Sequence, residues 1–171
     1  MSERDSGQWE HVVHGFEPVW DARSRVLVLG TLPSVKSREQ NFYYGHPRNR
    51  FWKLLSLLFG AAEPQSVVQK KALLLENGVA LWDVVRVCDI RRSADSTIRN
   101  AEPNDIRPIL AGADIRAICA NGAKAKALYD RLLLPLTGRE AIRLPSTSPA
   151  NAALTLDALA EAWGVLLKKA E

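Results

Sequence analysis

Four short apolar segments, each followed by a polar loop, constrain the fold of this 171-residue sequence more than any other feature. They carry runs of Val, Leu, Ile and Ala with little alternation, which is typical of strands buried on both faces. The segments are Arg25–Leu29, Val79–Val85, Arg116–Ala120 and Ala141–Leu144. Helical patterns separate them, so we expect an α/β fold of three layers, αβα, with a central, mostly parallel four-stranded sheet.

The helical patterns come with recognisable start and stop signals. Ser66 and Asn104 stand where N-caps are expected, and Gly60 and Asn77-Gly78 stand where helices end. The predicted helices cover Lys53–Phe59, Ser66–Glu76, Asp105–Ala111, Ala123–Leu133 and Leu154–Lys169. We further expect a short extended piece over residues 9–13, a long polar loop over 83–100 and a frayed tail over residues 1–8.

Composition places the chain among ordinary globular proteins. With 47% apolar residues and a net charge of +4, residues 1–171 should form one domain that suits a polyanionic partner without requiring one. Cys88 and Cys119 lack metal-ligand spacing and are predicted to be buried thiols. We expect no metal, no cofactor and no membrane contact. The acidic, polar N-terminus predicts no signal peptide, and we expect a cytoplasmic monomer.

The loops that follow the predicted strands contain the most distinctive chemistry. In a parallel sheet these loops meet at one edge, which is where ligands bind in such folds. They cover residues 30–52, 83–100, 121–122 and 145–151. The sequence therefore predicts a single site at this edge.

The side chains of these loops suit a nucleobase better than a nucleotide phosphate. No Gly-rich phosphate loop is present, since Gly30 stands alone in its loop. The amides of Asn49 and Asn121 offer a donor and an acceptor for a base edge, and Tyr43 and Tyr44 offer rings for stacking. A Pro-stiffened Ser/Thr turn suits backbone phosphates. Together they predict a pocket for one extruded base.

Four motifs, in order along the chain, resemble those of the uracil-DNA glycosylase superfamily, most of all its hypoxanthine-DNA (deoxyinosine) glycosylase branch. They are Gly30-x-x-Pro33-Ser34, Tyr44-Gly45-His46-Pro47-x-Asn49-Arg50-Phe51-Trp52, Ala120-Asn121-Gly122 and Pro145-Ser146-Thr147-Ser148-Pro149-Ala150-Asn151. The resemblance covers roughly residues 24–168. It implies a monofunctional DNA repair enzyme that flips a deaminated base out of DNA and hydrolyses its N-glycosidic bond.

The resemblance also implies roles for individual residues. Asn49 would be catalytic, Tyr44 would stack on the base and Asn121 would hydrogen-bond it. Further base-binding positions would be Gly30, Leu32, Pro33 and Ser146. DNA contacts would come from Ser34, Ser37, His46, Thr147, Ser148, Pro149, Ala150 and Asn151, with Ala150 and Asn151 at the wedge position.

Two positions depart from the superfamily pattern or have a second interpretation. Uracil-removing members hold the hydrolytic water with Asp or Asn where this chain has Leu32. The resemblance to the hypoxanthine branch implies that Asn49 takes that role, but its place before Arg50-Phe51-Trp52 also suits a helix N-cap. Ser146 stands where a His or Asn often begins the second motif, so stabilisation of the leaving base would be weaker or come from elsewhere.

Three alternatives remain open at this stage. The protein could remove uracil or mismatched thymine, against which Leu32 argues. It could be a hydrolase with a Ser nucleophile, but there is no GxSxG motif and no carboxylate placed to orient His46. It could also bind nucleic acid without catalysis. The candidate phosphate-binding cations, each equally interpretable as a solvated surface charge, are Arg86, Arg91, Arg92, Arg99, Lys124 and Lys126.

Overall fold

The computed structural model describes residues 7–92 and 94–170, so the predicted tail lies largely outside the described residues. Its strands are β1 (Trp9–Val13), β2 (Val26–Gly30), β3 (Val79–Asp83), β4 (Val85–Arg91), β5 (Arg99–Pro103), β6 (Ala117–Asn121) and β7 (Ala141–Leu144). The central sheet has the order β3-β2-β6-β7, and all of its neighbouring pairs are parallel. The predicted four-stranded parallel sheet is confirmed, with strand ends shifted by one or two residues.

Helices cover both faces of this sheet. They are α1 (Val35–Gln40), α2 (Phe51–Phe59), α3 (Val67–Glu76), α4 (Arg107–Gly112), α5 (Ala123–Leu132), α6 (Leu134–Thr137), α7 (Leu156–Trp163) and α8 (Val165–Lys169). Val26 and Val28 pack on the face of α2, α3, α7 and α8, where Phe51 and Trp163 are fully buried. Leu27 and Leu29 pack on the opposite face, with α4 and α5. The three-layer αβα architecture is therefore confirmed.

The predicted polar loop over residues 83–100 is wrong. β4 and β5 pair there as antiparallel strands, and β1 joins the other edge of β4, so the small sheet has the order β1-β4-β5. Along β4, Cys88 and Ile90 point into the core while Arg86 and Arg91 are exposed. This alternation is a strand signal, but the many charged residues obscured it.

The helix signals were only partly correct. Ser66 accepts a hydrogen bond from the backbone N–H of Gln69, and Gly60 ends α2 in the left-handed conformation, as predicted. Asn104 is not a cap: it is 3% exposed, and its Nδ2 donates to the carbonyls of Asp83 and Val85. Within the predicted loop after β2, Ser34 caps the unpredicted helix α1. The predicted last helix is split at Gly164 into α7 and α8.

Both cysteines are buried and free, as predicted. No helix in the described ranges 7–92 and 94–170 is long and apolar enough to cross a membrane.

Candidate active site

A cleft of about 440 Å³ opens at the carboxyl edge of the central sheet. This volume lies within the range of about 300–1,000 Å³ that is usual for small-molecule sites. The cleft brings together every predicted site residue except Asn151. Its lining also includes four polar or charged residues that were not predicted as site residues: Thr31, Arg38, Asp83 and Asp95.

A chain of hydrogen bonds joins three of the four predicted motifs at the cleft. The Nδ2 of Asn121 donates to the hydroxyl of Tyr44 and to Oγ1 of Thr147, both at 3.0 Å. The Oδ1 of Asn121 accepts from the backbone N–H of Thr147 at 3.0 Å. Thr147 then donates from Oγ1 to Oδ1 of Asn49 at 2.8 Å. The ends of β6 and β7 thereby fix Tyr44 and Asn49 relative to each other.

Asn49 directly precedes Arg50, the N-cap residue of α2, so Asn49 is not itself the N-cap that its sequence position suggests. Its Oδ1 accepts from the backbone N–H of Phe51 at 3.0 Å as well as from Thr147. Both acceptor sites of this oxygen are then in use. Its Nδ2 has no hydrogen-bond partner within the described residues, and Asn49 is half-buried at the cleft wall. The amide is therefore held by its oxygen and presents its N–H donors.

Tyr44 forms a supported aromatic surface. Its ring stacks on that of Phe51 with centroids 4.2 Å apart and planes 28° apart. Burial, with the nearby charge of Asp83, raises the pKa of the Tyr44 phenol, so the hydroxyl stays neutral. Its backbone has φ of +54°, a left-handed conformation that is uncommon for an aromatic residue and is held here by the surrounding contacts.

Asp83 is a buried carboxylate on the cleft floor, directly beside Gly30 in the sheet register. Its side chain is 4% exposed, and its Oδ2 bonds Nε2 of the equally buried His14 at 2.8 Å. A Cβ atom added to Gly30 would lie 2.4 Å from Oδ1 of Asp83 and 2.8 Å from the hydroxyl of Tyr44. Only glycine at position 30 lets these two groups approach so closely.

Sequence reasoning missed Asp83 and His14 as site residues. Asp83 follows a continuous apolar strand, as Gly30 and Asn121 do, and that shared position was the available signal. His14 lies 69 residues away from Asp83 and carries no such signal. Leu32 lines the cleft and packs against the core, as an apolar side chain should.

The loop of residues 145–151 is tied to the start of α2. The guanidinium of Arg50 donates to the backbone carbonyl of Asn151 at 3.0 Å and to that of Leu154. Ser146 and Ser148 accept from the backbone N–H groups of Ser148 and Ala150 at 3.1 and 3.2 Å. Each of these hydroxyls keeps its own hydrogen available to a ligand.

Other predicted DNA contacts are held inside the protein. Thr147 is fully buried, and its hydroxyl hydrogen is used by Asn49, which leaves no side-chain donor for a phosphate. Ser37 is 1% exposed and accepts from the N–H of Gly45 and the hydroxyl of Ser34. Asn151 donates to the carbonyl of Ser146. These residues shape the site from within.

His46 accepts a hydrogen bond from the N–H of Arg48 through Nδ1 at 3.0 Å. A neutral imidazole with that bond carries its hydrogen on Nε2. His46 therefore braces its loop and retains one donor at the cleft. Pro33, Pro149 and the exposed Ala150 complete the rim.

Asp95, in the 3-10 turn Asp95–Thr97, is a second carboxyl at the cleft. The residue is exposed at the rim, but partial removal from water, followed by the charge of Asp83, raises its pKa from 3.8 to about 6. Lys124 opposes this shift. Folding thus disfavours the ionised form of Asp95, which lowers the free energy of unfolding above pH 6. Below pH 4 this cost is absent, because Asp95 is protonated in both the folded and the unfolded protein.

Replacing Asp95 by asparagine should therefore stabilise the protein at pH 8 and have little effect at pH 4. Thermal unfolding followed by circular dichroism at the two pH values measures this difference. An equal change in Tm at both pH values would contradict the raised pKa.

The comparison with known proteins agrees with this geometry. Residues 17–167 match the family model described as the uracil DNA glycosylase superfamily. The hypoxanthine DNA glycosylase of Methanosarcina acetivorans is 37% identical over 142 residues, covering 82% of this chain and 89% of that protein. Its namesake from Methanosarcina barkeri is 34% identical over 140 residues, covering 80% and 87%.

A protein from Methanosarcina acetivorans, solved by solution NMR, has the same fold. The two structures superpose with a TM-score of 0.78 at 34% identity, over 92% of this chain and 98% of the other. Family, relatives and fold agree over nearly the whole chain. This protein belongs to the uracil DNA glycosylase superfamily.

Proposed function

We propose that this protein is a monofunctional hypoxanthine-DNA glycosylase, which extrudes the deaminated base from DNA and hydrolyses its N-glycosidic bond to leave an abasic site. The observation that carries the proposal is the convergence, in one cleft, of the free amide N–H of Asn49, the Tyr44–Phe51 stack and the buried carboxylate of Asp83. The names of the two curated relatives support hypoxanthine as the base.

Tyr44 is the stacking surface for the extruded base in this proposal. Phe51 supports one face of its ring, so the ring is already rigid before a base arrives. Base–aromatic stacking contributes about 1–3 kcal/mol per base. Extrusion costs a few kcal/mol and is easiest for mispaired or damaged bases, so stacking offsets a comparable cost.

Asp83 reads the edge of the base. Deamination of adenine converts N1 from an acceptor into an N–H donor, and a carboxylate can only accept. Oδ1 of Asp83 lies beside Gly30 and Tyr44, while its Oδ2 is held by His14. Hypoxanthine can donate N1–H to this oxygen, whereas the lone pair on N1 of adenine would face a carboxylate. Asp83 takes over the base-reading role predicted for Asn121, whose Nδ2 donors are both in use.

Asn49 positions the hydrolytic water, the role for which Leu32 has no polar atom. Because its Oδ1 already accepts two hydrogen bonds, the amide acts as a donor, holding the oxygen of water through Nδ2. Water adds to C1′ as the C1′–N9 bond breaks and the bonding electrons leave with the base. The proton that the added water loses is balanced by protonation of the departing base, so the products are the abasic sugar and neutral hypoxanthine. Fixed dipoles in a cleft shielded from solvent stabilise the charges that develop.

The lesion-bearing strand is held by the free hydroxyls of Ser146 and Ser148 and by Nε2–H of His46. These donors lie on the rim of the cleft that holds the base. Contacts of this kind to phosphates fix the register of the strand and carry no sequence information. Thr147 contributes indirectly, by fixing the backbone between the two serines.

Oligonucleotides that contain one hypoxanthine, uracil, mismatched thymine or xanthine test the proposal directly. We expect hypoxanthine to be released fastest in single-turnover reactions. Uracil also presents an N–H beside a carbonyl, so Asp83 alone does not distinguish it from hypoxanthine. The difference in release rate between the two bases therefore depends on the shape of the cleft and on the water held by Asn49. Uracil release as fast as that of hypoxanthine would overturn the assignment and show that Leu32 is no obstacle to uracil removal.

Replacing Gly30 by alanine should strongly reduce excision. The new methyl group would meet Oδ1 of Asp83 at 2.4 Å and the hydroxyl of Tyr44 at 2.8 Å, so at least one must move. A displacement of this size in a positioned site can cost about a hundredfold in rate. Single-turnover kinetics measure the loss, and Gly15→Ala serves as a comparison, because a methyl group there meets nothing within 4 Å and the backbone is not left-handed. An unchanged rate in Gly30→Ala would contradict this description of the cleft floor.

A further inference from the structure

The small β1-β4-β5 sheet reaches the rim of the cleft. Ile90, near the end of β4, lines the cleft, and so do Ala94 and Asp95 in the connection to β5. In the ladder, Trp9 pairs with Arg91, the last residue of β4, and Asp89 pairs with Arg99. This end of the small sheet therefore lies beside the entrance to the cleft.

Three side chains form a stacked cluster at this end. The guanidinium carbon of Arg99 lies 3.4 Å from the centre of the Trp9 ring, and that of Arg91 lies 5.1 Å from it. Trp9 is 37% exposed, and both arginines are exposed. We call Trp9, Arg91 and Arg99 the Trp9 cluster. Cation–π contacts at exposed sites contribute about 0.5–1 kcal/mol, enough to favour one orientation of each guanidinium.

The guanidinium groups of the Trp9 cluster make no ion pair at contact distance among the described residues, although the charge of Arg99 acts on Asp89 opposite it in the ladder. The Nε of Arg91 donates to the carbonyl of Gly7 at 2.7 Å. Two other candidate phosphate-binding cations, in contrast, are held in ion pairs. Arg86 pairs with Glu102 at 2.5 Å, and Lys126 pairs with Asp130 at 2.6 Å.

A guanidinium stacked on an aromatic ring keeps its N–H groups in its own plane, free to bind a phosphate in a bidentate manner. The Trp9 ring thus orients two positive, planar donors at the end of the small sheet that reaches the cleft rim. They lie on the exposed face of that sheet, opposite the face from which Ile90 lines the cleft. The other rim of the cleft presents serine hydroxyls. A strand of DNA that delivers a base into this cleft carries phosphates on both sides of that base. Charge complementarity and position both favour the phosphate backbone as the ligand.

We propose that the Trp9 cluster binds backbone phosphates of the lesion-bearing strand next to the extruded nucleotide. This inference rests on the proposed function only in taking DNA as the partner. It gives the exposed end of the small sheet a role in holding DNA, complementary to that of the loop of residues 145–151. Because Ala150 is too small to be an effective wedge, such a second contact would help to keep the opened strand in place.

Anisotropy titrations with fluorescent, undamaged oligonucleotides at several salt concentrations test the proposal. Removing one phosphate-binding cation should reduce the slope of log K against log salt by about 0.9 for duplex DNA and about 0.7 for single strands. We expect the slope to fall by this amount in Arg91→Gln and in Arg99→Gln, and by twice this amount in the double variant. Each variant should also bind DNA several-fold more weakly at low salt. Arg86→Gln and Lys126→Gln are the matched controls and should leave the slope unchanged.

Two further variants separate stacking from charge. Arg99→Lys keeps the charge but not the planar fork, and Trp9→Leu keeps both arginines but removes the ring. Both should weaken binding less than Arg99→Gln does. Circular dichroism melting curves verify that each variant is folded before it is compared.

The proposal fails if the double variant retains the wild-type slope, or if the control variants lose as much as the cluster variants. A loss with duplex DNA alone would overturn the assignment to the lesion-bearing strand. Because undamaged DNA is used, these outcomes do not depend on excision. A protein that binds as proposed but releases no base would overturn the glycosylase assignment and leave this inference standing.

Discussion

Replacing Asn49 by alanine is expected to lower the single-turnover rate of hypoxanthine release by at least about a hundredfold, the usual effect of removing one fixed donor from an active site. The variant loses the Nδ2 donor and both hydrogen bonds that Oδ1 accepts. Loss of the bond to the N–H of Phe51, the first residue of α2, should also cost about 1 kcal/mol of stability. Rates at saturating enzyme and melting curves measure the two effects.

Asn49→Asp is the matched control for this prediction. It keeps an oxygen that can accept from Phe51 and Thr147, so its Tm should stay closer to that of the wild type. It lacks the N–H donors, so its rate should still fall. Hypoxanthine release by Asn49→Ala within threefold of the wild-type rate would mean that Asn49 only stabilises the start of α2. Full activity in Asn49→Asp would contradict the role of Nδ2 as a donor.

Replacing Asp83 by leucine should reduce hypoxanthine release by about a hundredfold or more, because a base that donates N1–H would then meet an apolar side chain. The variant also leaves the buried His14 without its partner, at a cost of about 1–3 kcal/mol in stability. Asp83→Asn keeps the shape, an acceptor oxygen and a partner for His14. We expect this second variant to lose about tenfold in rate, since hydrogen bonds to charged groups are the stronger ones.

Single-turnover assays at a temperature where all variants are folded compare these rates. The order wild type, Asp83→Asn, Asp83→Leu is the expected result. Hypoxanthine release by Asp83→Leu near the wild-type rate would remove Asp83 from the base-reading role and return that role to Asn121.

The central sheet could be predicted because its strands are buried on both faces and therefore carry continuous apolar runs. The small sheet escaped prediction because one face of β4 is exposed: Arg86 and Arg91 interrupt the apolar residues, and the segment resembles a loop. The sequence position of Asn104 predicts a helix cap. Its burial against the carbonyls of Asp83 and Val85 is a tertiary effect that local sequence does not encode.

The same distinction applies to the site. The motifs predict a set of converging site residues, and the cleft is lined by all of these site residues except Asn151. Their partners could not be predicted, because the bonds join positions far apart in the chain. The bond between Asn49 and Thr147 spans 98 residues, and that between His14 and Asp83 spans 69. These long-range bonds decide which polar groups are free to meet a substrate.

The glycosylase assignment is tested most directly by identifying what the wild-type protein releases from duplex DNA that contains a single hypoxanthine. Mass spectrometry of the small-molecule fraction, together with electrophoresis of the strand before and after alkali, gives the answer in one experiment. We predict free hypoxanthine and an abasic strand that stays intact until alkali is added. Recovery of the unchanged strand, with no free base, would contradict the assignment of this cleft as a glycosylase active site.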